Sequence, residues 1–367
     1  MTGELKALTG ARGIAAWWVV LYHIRLSIAG LPAPVLAVLA KGYLAVDFFF
    51  LLSGFVIALA WTDRLRVGGW HAVPGFLARR IARVWPLHAA MLAVAAMLAL
   101  ALAATGRETE AVFPWADLPW QVLLVQDWGL TDRLSWNVPA WSISAELAAY
   151  LAFPVLALAI DWRRLPSAVV IGAALALLGV LAAAMIGAGA PTLGWRLEQY
   201  GVLRCLAEFG AGTALCAIWQ RWRAHPRLVA PAALALTTLC FAGWGFGLPE
   251  PLAIPPAFAA LLLALALSAG RPGNPLDARW LHRLGEVSYA TYLSHCLLFF
   301  VFKLLLVRDA HAIPPALIAL YLGLVALSSV VLHHCVERPG QRWLSAVLTG
   351  RATRRVSPPP APRAARG

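Results

Sequence analysis

The chain has 367 residues, 61% of them hydrophobic and 13% charged, with a mean hydropathy of +0.74. No soluble core of this size needs so much apolar sequence, so the composition excludes an ordinary soluble enzyme and specifies an all-α, polytopic membrane protein. The formal net charge of +13 does not call for a nucleic-acid partner: the basic residues fall in short clusters between apolar segments, where topology alone puts them.

In chain order, the apolar runs predict spans near residues 8–30, 43–61, 85–105, 141–160, 167–190, 202–219, 228–247, 256–270, 286–306 and 315–335, ten in all, with the lipid bilayer as their solvent. Leu118 to Trp128 is about half the ~20 residues that a crossing needs, and is expected to be re-entrant or interfacial. Ten crossings place both termini in the cytoplasm. Of the 30 basic residues they leave outside Arg25, Lys41, Arg107, Arg133, Arg196, Arg204, Lys303 and Arg308, as the positive-inside bias requires. The first run is too long for a cleavable signal peptide and is interrupted by Arg12 and His23, so it is expected to stay as the first helix. Cys205, Cys216, Cys240, Cys296 and Cys335 show no CxxC spacing and read as small buried hydrophobes. Residues 1–343 then form one transmembrane domain. Residues 344–367, rich in Arg, Ala and Pro, cannot bury enough apolar surface to fold and are expected to be a disordered cytoplasmic tail.

Arg12 and His23 stand eleven positions apart inside the first run. A helix carries the imidazole about 16 Å beyond the guanidinium, near mid-bilayer if Arg12 marks one interface. Such groups cost several kcal/mol in lipid unless paired or wetted, which makes them functional candidates.

The stretch Leu8-Thr9-Gly10-Ala11-Arg12-Gly13-Ile14-Ala15-Ala16, continued by Val20-Leu21-Tyr22-His23, resembles the first-helix signature of the acyltransferase 3 family of membrane O-acyltransferases. Asp47-Phe48-Phe49-Phe50-Leu51-Leu52-Ser53-Gly54-Phe55 is similar to that family's second-helix element, Arg80 and Arg83 to its RxxR pair, and Trp141-Ser142-Ile143-Ser144-Ala145-Glu146 to its Trp-Ser-x-Ser-x-Glu element. Val287 to His295 and Val336-Glu337-Arg338-Pro339 resemble two later stretches, so the likeness spans residues 8–339. The chain departs from many relatives at Ala145 to Tyr150, where they carry a doubled acidic pair and a glutamine, and it is expected to act without the soluble hydrolase-like domain that some members append. The resemblance implies a standalone acyltransferase of the cell membrane. Acyl-CoA, most simply acetyl-CoA, would be its cosubstrate, with no bound cofactor, and a carbohydrate or lipid-linked sugar its acceptor.

The residues themselves suit that chemistry. An imidazole at position 23 fits a general base toward an acceptor hydroxyl, or a transient acyl carrier, and a dry setting there would favour its neutral form. Arg12, Arg80 and Arg83 at the inner face offer bidentate grips for nucleotide phosphates, although positive-inside anchoring explains arginines there equally well. Asp47 and Glu146 enter their spans from the outer face and would orient His23, hold acceptor hydroxyls, or pair with a cation such as Arg25. Trp141 and Ser142 combine an aromatic face with a small donor, which suits a sugar. Tyr289 is expected along the donor path, and His295, again near mid-bilayer, is expected either to touch substrate or to be a satisfied core group. Glu337 and Arg338 join the substrate-binding set through the resemblance. No predicted span presents His, Asp or Glu ligands at i and i+4 within its own limits, so no metal is expected. The competing reading is a proton-coupled transporter with His23, Asp47, Glu146 and His295 as its relay, against which stands the absence of two similar halves.

Overall fold

The computed structural model describes residues 5–271 and 273–350. They form α1 (Lys6–Ile24), α2 (Ala33–Leu39), α3 (Ala45–Gly68), α4 (Val73–Ala104), α5 (Leu118–Leu123), α6 (Ala140–Ala159) and α7 (Ser167–Gly187). Then come α8 (Leu197–Trp222), α9 (Pro226–Gly245), α10 (Glu250–Ser268), α11 (Arg279–Glu286), α12 (Ser288–Leu306), α13 (Pro315–Leu332) and α14 (Arg338–Leu348). A π-helical turn, His333–Glu337, joins the last two. Among the described residues the β pairing is a single parallel bridge, Ile28 to Ile313.

Among the described residues eight stretches are long and apolar enough to cross a membrane, and the first, Ala33–Ala104, holds both α3 and α4. Counted separately, and with α1 added, these give the ten crossings read from the sequence. In α1, Lys6, Arg12 and His23 dilute the apolar character. That helix is held by protein instead: Gly10 lies against Leu276 and Leu281, and Gly13 against Leu284 and Gly285.

Several boundaries differ from the apolar runs, each where a polar group is carried inside. Helix α8 begins at Leu197, so Arg204 is not an outer-loop residue but sits two turns into the bundle, 1% exposed. Helix α10 begins at Glu250, whose buried carboxylate accepts from Tyr43 and the Leu193 amide. The ninth run breaks at Val287, which separates the short α11 from α12. Helix α14 continues through Leu348, five residues into the expected tail. The rest of that tail, 351–367, lies outside the described residues.

The short element is re-entrant. The Gln121 carbonyl accepts from His88 at 2.7 Å and the Val122 carbonyl from Trp85 at 3.2 Å. Since His88 precedes the end of α4 by roughly 16 residues, α5 lies about 24 Å along α4 from that end. Behind it the chain returns pinned to α6, with the Asp127 amide on the Ser144 hydroxyl at 3.1 Å and the Trp128 indole on the Ser144 carbonyl at 3.0 Å. Backbone groups at that depth need protein partners because lipid offers none.

Polar contacts gather alternate helix ends at one end of the bundle. Arg163 pairs with Asp63, Arg66 lies 3.6 Å from Asp161, Arg221 donates to the Ser167 hydroxyl at 2.7 Å, and Arg83 pairs with Glu337. These ties set the ends of α3, α6, α8 and α13 beside the starts of α4 and α7, as the parity of ten crossings demands. Burial alone raises the Asp161 pKa, but hydrogen bonds and charge from Arg163, with Arg66 nearby, outweigh it and hold the carboxyl below the usual carboxylate range.

Helices α3 and α8 meet glycine to backbone. A Cβ on Gly54 would run into the Phe209 carbonyl, and one on Gly212 into the Leu51 carbonyl. Small residues let membrane helices approach this closely, where dispersion and hydrogen bonding replace the hydrophobic drive. Gly54→Ala or Gly212→Ala is therefore expected to lower stability in detergent by about 1–3 kcal/mol through overpacking. Gly172→Ala, with open space around it, should leave the thermal unfolding midpoint unchanged; equal midpoints for all three would contradict this packing.

Candidate active site

Helix α1 delivers His23 at its last turn, and α12 delivers His295 at its middle. The two rings meet edge to face, with His295 Nε2 3.1 Å from His23 Nδ1. Their other contacts fix the protons. His295 Nδ1 lies 2.7 Å from the Tyr292 carbonyl and 3.2 Å from that of Thr291, so it carries hydrogen, and Nε2 of the neutral ring is an acceptor. His23 Nδ1, 2.9 Å from the Val19 carbonyl, likewise carries hydrogen and shares it with His295. What remains is a lone pair on His23 Nε2. Tyr321 on α13 donates to the His295 carbonyl at 3.0 Å, which fixes the α12 turn from behind. His295 is fully buried and His23 half-buried.

Cys296 brings its sulfur 3.3 Å from His295 Nε2. The ligand atoms of His23, His295 and Cys296 lie within 4.8 Å of one another, so these three are the described side chains that could hold a soft metal ion. No i, i+4 pattern announces this group, because its first member comes from another helix. Cys296 is thus not merely a small hydrophobe, and Cys335 on the π turn is exposed rather than buried.

Below the imidazole pair, toward the end that gathers the ion pairs, lies a cavity of about 170 Å³. Arg12, Arg80, Arg83, Ser142, Glu146 and Tyr289, all singled out from the sequence, share its wall with Ser53, Tyr150, Ser288 and Tyr292. Arg12 donates to the Gly285 carbonyl at 2.8 Å. Arg83 pairs with buried Glu337 and lies 5.2 Å from the Tyr289 ring centre, while the Tyr289 hydroxyl donates to the Val84 carbonyl at 2.7 Å. The Nε–H of Arg80 is buried with no hydrogen-bond partner among the described residues. Glu146 accepts from the Ser53 hydroxyl and stands beside Tyr150, within reach of the Arg80 and Arg83 charges. It belongs to the arginine cavity rather than to His23.

The wall ends at Tyr292, whose hydroxyl meets Ser142 at 2.8 Å and whose ring takes the edge of Phe49 at 5.9 Å. His23 itself is not in the wall. The arrangement offers cations for an anion at one end, a neutral proton acceptor at the other, and a Tyr–Phe contact between them.

Asp47 is placed elsewhere. Both of its oxygens are taken by Arg204, Nε to Oδ1 at 2.6 Å and Nη2 to Oδ2 at 2.5 Å, with Glu208 fully buried beside them. Arg204 also donates to the Leu193 carbonyl at 3.0 Å and lies 5.7 Å from the centre of the Trp141 ring, so Trp141 packs on this ion pair and not in the cavity. Arg25 covers the Tyr22 ring at 4.0 Å instead of meeting Asp47. Arg338 lines a second cavity behind α12. Ser53 and Tyr292 lie inside stretches whose likeness was noted, so a reading of whole motifs would have found them, whereas Tyr150 ends the stretch where the chain departs from its relatives. Nothing local marks Arg204 or Glu250, whose partners are distant in sequence.

Residues 5–334 match the family model described as an acyltransferase domain. Acyltransferase MdmB of Streptomyces mycarofaciens is 30% identical over 384 aligned residues, 93% of this chain and 92% of its own. Protein 2 in the picA locus of Rhizobium radiobacter is 40% identical over 103 residues, 28% of this chain and 49% of its own. No solved structure matches the chain.

The geometry separates two roles for intramembrane acids. Asp47→Ala strands a buried guanidinium and is expected to cost about 3–5 kcal/mol of stability, which Asp47→Ala/Arg204→Leu should largely restore. Thermal unfolding in detergent reads this directly. A stable but inactive Asp47→Ala protein would return Asp47 to the chemistry.

Proposed function

We propose, from the premise that the chain belongs to the acyltransferase 3 family and is a multi-pass membrane acyltransferase, that it moves an acyl group, most simply acetyl, from cytoplasmic acyl-CoA to a hydroxyl of a carbohydrate or glycosylated acceptor. The basic end of the bundle is assigned to the cytoplasm of a cell membrane by the positive-inside bias, and the acceptor reaches His23 from the opposite side. The observation that carries this reading is continuity: Tyr292 stands in the wall of the arginine cavity, and its carbonyl holds the ring of His295 against His23.

Arg12, Arg80 and Arg83 suit the donor's phosphates, since a guanidinium grips phosphate oxygens as a fork. The pantetheine arm then runs past Ser53, Glu146 and Tyr289 toward Tyr292. His295 accepts from His23 Nδ1 and so keeps Nε2 as the basic nitrogen. Nε2 takes the acceptor's hydroxyl proton as that oxygen bonds to the thioester carbonyl carbon. The C–S bond breaks, and His23 returns the proton to the departing thiolate. The same nitrogen is the attachment point in a two-step route through acyl-histidine. A burst of free CoA without acceptor distinguishes the second route from the first.

His23→Ala is expected to lower transfer from radiolabelled acyl-CoA at least about 100-fold, the scale of a lost general base, with thermal unfolding unchanged. Full activity in that variant removes the assignment. Arg80→Gln is expected to raise KM for acyl-CoA about tenfold with kcat little altered, as the loss of a phosphate contact formed before the chemical step. An unchanged KM would place the donor elsewhere.

A further inference from the structure

A second cavity, of about 530 Å³, lies on the far side of α12 from the first, between α1, α11, α13 and the π turn. Trp17, Trp280, Arg283, Glu286, His334 and Arg338 stand in its wall. Neither the Arg283 nor the Arg338 guanidinium makes an ion pair or hydrogen bond with another described residue. Arg83, Arg163, Arg204 and Arg221, in contrast, are all matched. Glu286 stands in the same wall, 3.9 Å from His282, but forms no ion pair with either arginine, so the two cations outnumber the one acid there.

The cavity sits at headgroup depth. Arg338 opens α14, whose apolar Trp343, Val347 and Leu348 are exposed while Arg342 adds charge, the pattern of a helix lying in the interface. Trp17 and Trp280, the latter 67% exposed, supply the aromatic flank typical of that level. The α13 wall ends in Val330, which with neighbouring Leu327 and Val331 is 46–61% exposed and faces lipid. Two unmatched cations at headgroup level, an aromatic rim and an apolar slope running into the bilayer form the shape of one ligand class.

We propose that this cavity binds the phosphate of an anionic phospholipid, held by Arg283 and Arg338, with its acyl chains along Val330 and Leu327. The π turn ties that site to the first cavity. Within five residues it sends Glu337 to Arg83 on one side and His334, next to Arg338, to the lipid on the other. Single π turns of this kind interrupt regular helices chiefly where function asks for it.

Native mass spectrometry of the full chain in detergent, with equimolar phosphatidylglycerol and phosphatidylcholine, tests the proposal. The wild-type protein is expected to retain phosphatidylglycerol at least about tenfold better. Arg283→Gln/Arg338→Gln should abolish the preference, Arg283→Lys/Arg338→Lys should keep most of it, and Arg342→Gln should not alter it. Ala326→Trp, which fills the exposed mouth without touching a charge, should also lose it. A wild-type protein without headgroup preference, or a preference that survives in the Gln pair or in Ala326→Trp, overturns the proposal. So does displacement of phosphatidylglycerol by millimolar inorganic phosphate or CoA, which would assign the arginines to a soluble phosphate ligand. Neither the proposal nor its readout depends on the acyl-transfer chemistry.

Discussion

A bilayer core gives a charged or polar group no water to fall back on, so each one in this chain must find a partner or a wetted wall. Asp47 and Arg204 solve the problem by facing each other with two hydrogen bonds, and one more of the five guanidinium N–H groups goes to the Leu193 carbonyl. Glu250 solves it with Tyr43, Lys41 and the Leu193 amide, so a single outer loop residue joins both buried acids. These groups hold α3, α8 and α10 in register. The same requirement governs the site, where two imidazoles satisfy each other and the arginines share a cavity with Glu146.

The distinction between structural and chemical groups follows from how completely each is satisfied. Asp47 has no free acceptor capacity in the direction of chemistry, and its partner is as deeply buried as itself. His23 keeps one unshared nitrogen, and Arg80 keeps an unmatched donor. The Asp127 carboxylate and the side-chain carbonyls of Gln121, Gln126 and Asn137 are also buried without a hydrogen-bond partner among the described residues. Satisfaction therefore sorts Asp47 from His23 and Arg80, while position against the cavity and Tyr292 is what ties these two to the proposed reaction.

Much of this was legible before any coordinates. The ten crossings came from apolar runs and charge parity, and His23 and Arg12 stood out because lipid penalises them. Arg80, Arg83, Ser142, Glu146 and Tyr289, each singled out from its own motif, share one cavity, although in sequence Ser142 and Glu146 read as groups for the acceptor and His23 and not for the arginines. What stayed hidden was pairing across long separations. Arg204 lies 157 positions from Asp47, and His295 lies 272 positions from His23. With no periodicity to announce Arg204 inside α8, it read as an outer-loop charge, and Asp47 and Trp141 were drawn toward a catalytic reading. Helix ends were hidden for the same reason: Glu250 extends α10 past the apolar run because distant Tyr43 makes its burial affordable.

The contact of Phe49 with Tyr292 also governs what the molecule keeps apart. Both rings line the arginine cavity, and the Tyr292 backbone carbonyl holds the His295 ring, so the two rings stand where that cavity comes nearest the imidazole pair. On the proposed reaction, passage from the cavity to His23 calls for a rotation of these side chains and not a shift of helices, and its barrier is one that substitution at Phe49 would tune without touching the groups assigned to the chemistry.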